Sequence, residues 1–190
     1  MILPMNNNHF SARKVSSLPQ WCRIYRLYRR AFPRSERKPF NMILSMRRRG
    51  KTDVWVFQQD GRFAGFASTI NDDRLILLDY LAITESMRGR GIGSSALQAL
   101  KDSYTGKGIF VEIESAFEDT DDRAERLRRK HFYMKNDMLP SRVMAGVFGV
   151  KMELLCWNCS VDFCRYHAFY RDNYSAWAAD HIIEQEYPQL

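Results

Sequence analysis

No stretch of this sequence is apolar for long enough to cross a bilayer. The run Val143–Val150 falls far short of the roughly 20 residues a spanning helix needs. A leader is missing from view as well: Met1–Phe10 carries three consecutive asparagines where a secretory signal would place its apolar core. A protein of the cytoplasm, without membrane partners, is expected. Cysteine is scarce, with 4 in 190 residues, and Cys22, alone in an amphipathic pattern, suits a reducing compartment. Acids are outnumbered, 22 against 29 lysines and arginines, and the net charge of +7 favours anionic ligands in general. The arginine clusters lack an interleaved aromatic platform or a recognition-helix pattern, so they read as solvated surface and not as a nucleic-acid face. What is plentiful is core: 45% hydrophobic and 13% aromatic residues exclude a disordered chain, and 22.4 kDa is enough for one well-filled domain.

Cys156-x-x-Cys159-x4-Cys164-x-x-His167 has zinc-like spacing. Strand alternation, however, puts Cys156 on the face of Met152 and Leu154, where an apolar core residue belongs. No metal is expected, and no redox Cys-x-x-Cys.

Along the chain, Phe10–Val15 reads as a short strand and Leu18–Phe32 as a helix with Trp21, Ile24, Tyr25, Leu27, Tyr28 and Ala31 on one face and arginines on the other. Phe40–Met46 is a second helix, with Arg47-Arg48-Arg49 as its solvated end and Gly50 as its stop. From Lys51 the period becomes two. Asp53–Gln58 and Phe63–Ile70 flank Asp60-Gly61, the pair that a hairpin turn with φ > 0 requires. Leu75–Ile83 is a strand buried on both faces, interrupted by a single acid, Asp79. Ile109–Ser115 is another, with Glu112 and Glu114 two apart and hence on one face. Those acids either pair with arginines or point one carboxylate into a cleft. A helix over Arg123–Met134, strands over Val143–Val150 and Lys151–Trp157, and a helical tail over Val161–Glu186 complete the pattern. The tail's aromatic stripe (Phe163, Tyr166, Phe169, Tyr170, Tyr174, Trp177) is expected to pack on the body of the protein or on a second copy in a homodimer. Residues 1–157 form the expected main domain and 158–190 an extension packed on it.

The informative stretch lies between the apolar strand and the helix from Ser94 to Leu100: Arg88-Gly89-Arg90-Gly91-Ile92-Gly93. At a strand-to-helix corner the first N–H groups have no internal partner and face outward with the positive end of the helix dipole. Gly89, Gly91 and Gly93 lack Cβ atoms, so phosphate oxygens can reach the backbone, and Arg88 and Arg90 add charge. A diphosphate site is implied. It is not a Walker loop, since Gly93-Ser94-Ser95 has no lysine, nor a dinucleotide fingerprint, since the glycine spacing fails G-x-G-x-x-G.

This stretch resembles the acetyl-CoA loop of the bacterial-type GNAT family of N-acetyltransferases, Gln/Arg-x-x-Gly-x-Gly/Ala, with Arg88, Gly91 and Gly93 at its fixed positions. The order of elements is similar to that family too. The resemblance implies a mixed α/β (α+β) fold with a mainly antiparallel sheet of about six to seven strands flanked by helices, here with an added C-terminal helix. It implies acetyl-CoA as co-substrate, its diphosphate on the backbone and side chains of Arg88, Gly89, Arg90, Gly91, Ile92, Gly93 and Ser94, and its pantetheine along Leu81, Ala82 and Ile83. An amine acceptor must lose a proton, and Asp79, Glu112 and Glu114 are the candidate bases. Asp79, alone among leucines, is expected to have a raised pKa. Phe132-Tyr133-Met134-Lys135-Asn136-Asp137-Met138 resembles the family's Phe-Tyr-x-x-x-Gly-Phe, which implies Tyr133 as the proton donor to the leaving sulfur. Gly-Phe has become Asp-Met, and aspartate is among the few residues that tolerate the left-handed turn. The alternative is a non-catalytic module of the same fold that binds CoA, an acyl-CoA or a protein.

Overall fold

The computed structural model describes residues 9–34 and 36–188. Met1–Asn8, read above for a leader, lies outside them, as do Ser35, Gln189 and Leu190. The chain forms two compact units, Met1–Thr69 with Tyr80–Ser103 and Ile70–Asp79 with Tyr104–Leu190.

In the first unit, β1 (Phe10–Lys14) pairs antiparallel with β2 (Thr52–Gln59), Phe10 opposite Gln59. Helix α1 (Leu18–Ala31) begins where the Gln20 carboxamide oxygen accepts from the Ser17 N–H at 3.1 Å, a reciprocal cap. It buries Ile24, Leu27 and Tyr28, while Tyr25 stays 41% exposed. Helix α2 (Phe40–Arg48) ends as expected at Gly50, φ +74°, with the Lys51 N–H donating to Met46 O at 3.0 Å. Its arginine end is not wholly solvated: the Arg47 guanidinium donates to Val15 O at 2.9 Å and lies 5.4 Å from the Trp21 ring. The turn to β3 (Arg62–Asn71) carries Asp60 and Gly61 at φ +50° and +74°, the geometry that matches strand twist. The unit's core gathers Ile24, Tyr28, Ile43, Val56, Phe66 and Tyr80.

Strand β4 (Leu75–Ile83) contributes to both units. Leu75–Leu78 are buried throughout. Beyond them burial alternates, with Asp79, Leu81 and Ile83 on the less covered face, so the strand is two-sided only in its first half. Helix α3 (Ile92–Ser103) follows and provides the crossover that a parallel pairing demands.

In the second unit, β5 (Gly108–Glu114) runs parallel to β4 over three pairs only, ending at Leu77↔Phe110. Helix α4 (Arg123–Lys135) leads to β6 (Leu139–Val147) and β7 (Val150–Trp157), and β7 pairs antiparallel with both β5 and β6. The apolar run Val143–Val150 is therefore not one strand. Phe148 (φ +48°) and Gly149 (φ +85°) turn a tight hairpin inside it, which hydrophobicity conceals. The tail is not all helix either. Helix α5 (Phe163–Asn173), capped by Asp162 accepting from the Arg165 N–H at 2.7 Å, and α6 (Ala176–Ala179) give way to a strand, β8 (Ile182–Gln185), antiparallel to β6. The pairing orders are β1-β2-β3-β4 and β4-β5-β7-β6-β8, eight strands among the described residues, mostly antiparallel. Among the described residues no helix is long and apolar enough to cross a membrane.

Candidate active site

The glycine corner of the first unit is held from behind. The Thr84 N–H donates to Ala64 O at 2.8 Å as β4 ends, and a single 3-10 turn (Glu85–Met87) follows. Arg88 Nε then donates back to Ile83 O at 3.3 Å, so this side chain braces the loop to the strand. Gly89 and Gly91 stand at φ +73° and +78°, a region that side-chain-bearing residues avoid, and a Cβ placed on either would meet nothing within 4 Å. Ser95 is the first residue to bond back, onto Gly91 O at 3.0 Å, so the N–H groups of the preceding turn are those every helix start leaves without internal acceptors. Ile92 is buried and anchors the helix; Gly89, Arg90 and Gly91 are exposed. Gly93 and Ser94, half-buried, belong to the first turn of α3.

Beside it, Ala82 is buried and Leu81 and Ile83 are half-buried. Gly65 on β3 lets the strands come this close: a Cβ there would lie 2.4 Å from Ala82 O. Open left-handed glycines, outward N–H groups and two exposed arginines fit the diphosphate of a coenzyme, and no bulkier side chain occupies the cradle.

The other candidates belong to the second unit. Tyr133 is 7% exposed near the end of α4, which closes with Asp137 at φ +59° and the Met138 N–H donating to Tyr133 O at 3.1 Å. Aspartate thus takes the glycine's left-handed place, and Met138, fully buried, takes the phenylalanine's. Burial pushes the Tyr133 phenol up to about 12, opposed in part by the Arg129 guanidinium.

Both β5 acids are engaged. Glu114 pairs with Arg126 Nε at 3.7 Å and Arg129 Nη1 at 3.5 Å, the arginine pairing expected of a strand acid. Glu112 Oε1 accepts from the Tyr166 and Tyr170 hydroxyls, each at 2.8 Å. Nor is Asp79 alone among leucines: the Tyr174 hydroxyl reaches its Oδ1 at 3.5 Å, and Tyr174 stacks on Tyr170 with centroids 5.0 Å apart. These tyrosines were legible only as a packing stripe. Their spacing of four residues along one helix face, each with a hydroxyl at its tip, was the signal that they also serve the two carboxylates.

Tyr166 and Tyr170 lie well above the ordinary 10.0, first through burial and then through the Glu112 charge. For each tyrosine the folded state holds its proton more tightly than the unfolded chain. The stability this contributes is complete below about pH 10 and is lost as the pH rises toward the folded values. Tyr133, Tyr166 and Tyr170 should therefore stay silent in a tyrosinate absorbance titration until the protein unfolds in alkali. A full titration of every tyrosine near pH 10 with the fold intact would contradict this.

The cysteines are free. Cys156 is buried; its thiol is pushed up by the hydrogen bond to Cys159 and by burial, and the same bond lowers Cys159. Cys164 is exposed, and among the described residues no group of three or more His, Cys, Asp or Glu side chains is placed to hold a metal ion.

Residues 21–133 match the family model described as Acetyltransferase (GNAT) family, and the chain belongs to that family. YjbC of Bacillus subtilis (strain 168), provisionally named an acetyltransferase, is 34% identical over 90 residues, 45% of this chain; the match spans 46% of that relative's length. The fold is shared with a GNAT-family protein of Bacteroides thetaiotaomicron, also provisionally an acetyltransferase (TM-score 0.73, 16% identity, 90% of this chain and 98% of that one). It is shared too with Arabidopsis thaliana NAA60, solved in complex with acetyl-CoA (TM-score 0.60, 15% identity, 78% and 98%).

Proposed function

We propose that this chain moves an acetyl group from acetyl-CoA to an amine by direct attack, in the cytoplasm, where its free thiols persist. The observation that carries the reading is the open glycine corner, Gly89 and Gly91 at positive φ with nothing within 4 Å of a Cβ, at the start of α3 in a chain of this family. The N–H groups from Gly89 to Ser94 and the charges of Arg88 and Arg90 hold the diphosphate, and the β4 edge at Leu81–Ile83 pairs with pantetheine. Asp79, on the less covered face of β4 together with Leu81 and Ile83, takes the amine proton, with Glu112 and Glu114 as the competing bases. The amine nitrogen bonds to the acetyl carbon and the carbon–sulfur bond breaks. Strand N–H groups stabilise the oxyanion. Tyr133, protonated at neutral pH because burial raises it to about 12, donates a hydrogen bond to the departing thiolate first and its proton second.

In a test with acetyl-CoA and a panel of amines, free CoA should appear only when a suitable amine is present. Tyr133→Phe should slow release by about 10²- to 10⁴-fold, the usual worth of a positioned acid, with coenzyme affinity nearly unchanged. The engagement of both β5 carboxylates favours one alternative, a module that binds CoA or an acyl-CoA without transferring it. Amine-independent behaviour throughout, with coenzyme still bound, would select that alternative.

A further inference from the structure

The basic residues of the α1–α2 region converge on a cleft of about 390 Å³ in the first unit, lined by Tyr25, Arg29, Arg34, Arg37, Lys38 and Phe40 among others. No acidic side chain is among the described residues that line it. Three arginines and a lysine around one small space make its potential positive, and a bound anion would be favoured there. Arg29, Arg34 and Arg37 pair with no carboxylate among the described residues, and Arg37 Nε is buried without a hydrogen-bond partner there. The aromatic wall is preorganised: the Tyr25 and Phe40 rings meet edge to face with centroids 5.0 Å apart, and the Arg29 guanidinium lies 5.7 Å from the Tyr25 ring.

This wall is tied to the β4 strand. The Tyr80 hydroxyl donates to Glu36 O at 2.9 Å and accepts from the Lys38 N–H at 3.1 Å, while the Tyr28 hydroxyl donates to Lys38 O at 2.9 Å. Tyr80 directly precedes Leu81–Ile83. The basic loop is thereby fixed to the strand assigned above to pantetheine.

We infer that this cleft binds the anionic end of the amine acceptor, a group of two negative charges such as a phosphate monoester or a dicarboxylate. The acceptor role rests on the acetyl-transfer reading, whereas anion binding does not. Guanidinium forks suit both groups, since each offers paired oxygens, and a cleft of this volume has room for one such anionic group.

Calorimetric titration of the protein without coenzyme, using phosphoethanolamine, aspartate and ethanolamine as probes, tests it. At least one anionic probe should bind saturably, ethanolamine about tenfold more weakly or worse. The better anionic probe identifies which of the two groups the cleft prefers. Arg34→Gln with Arg37→Gln should weaken that probe at least about tenfold. The melting temperature and the thermal shift given by CoA should stay as in the wild type, which shows that the variant is folded. Equal binding of ethanolamine, no binding of either anion, or a folded double variant that binds as well as the wild type would each overturn the assignment. The acetyl-transfer reading fails separately: anion binding intact, with no acetylation of the bound probe or of any other amine, would sink transfer and leave the cleft an anion site.

Discussion

Replacing Lys130 with alanine is expected to destabilise the protein by about 3–5 kcal/mol, the usual consequence of orphaning one member of a buried ion pair. Lys130 Nζ lies 2.6 Å from Glu153 Oε2, and Glu153, on β7, is fully buried. The lysine also sits 4.5 Å from the Phe117 ring centroid, so its stem and charge are both engaged. Without it, Glu153 is left buried with no counter-charge, which lowers stability. The other carboxylate oxygen offers no rescue: Glu153 Oε1 has no hydrogen-bond partner among the described residues. For a chain of this size the loss corresponds to a fall in melting temperature of roughly 6–20 °C. Replacing both residues, Lys130→Met with Glu153→Leu, should recover most of it, because two apolar side chains of similar volume avoid desolvating any charge. A loss under about 1 kcal/mol for Lys130→Ala would show that the pair behaves as a surface bridge.

The second large effect concerns binding and not stability. Gly91→Ala should still fold, at a cost of about 1–2 kcal/mol for holding alanine at φ +78°, since the space around its Cβ is open. On the proposed reading, that open space is where a phosphate oxygen approaches the backbone. A methyl group there should remove one or more charge-assisted hydrogen bonds, each worth about 1.5–3 kcal/mol, and weaken acetyl-CoA and CoA by about 10- to 100-fold or more. Thermal-shift titration separates the two effects: wild type should gain about 2.7 kcal/mol at a hundred times its dissociation constant, and the variant only about 0.4–1.4 kcal/mol at the same concentration. NAD should shift neither. Undiminished coenzyme affinity in a folded Gly91→Ala protein would mean that the corner is only a turn.

The corner was legible because its chemistry is local. Three glycines between a buried strand and a helix state their own geometry, whatever surrounds them. The same holds for Asp60-Gly61 and for Gly50 after the arginine run; Asp137 was expected to turn left-handed because it stands at the glycine of the resembled motif and aspartate tolerates that geometry. In each case neighbouring residues set φ, and φ sets the turn.

Where an outcome depended on partners far along the chain, sequence alone could not decide it. Hydrophobicity could not expose the turn at Phe148-Gly149, because apolar residues on both sides of a tight hairpin read as one run. Strand β8 was hidden in an aromatic tail since its pairing with β6 is a tertiary contact, not a propensity. Glu112 and Glu114 looked equivalent two residues apart on one strand; packing gave one to tyrosines of α5 and the other to arginines of α4. The arginines around α1 and α2 read as solvated, and it took the loop bolted to Tyr80 to gather several of them around one cleft. The sequence by itself thus determined the family's α/β pattern and the open glycine turn before α3, both written in local backbone chemistry. Tertiary structure decided which charged side chains find partners and which line an open cleft, because burial and Coulomb energy depend on neighbours that only the fold brings together.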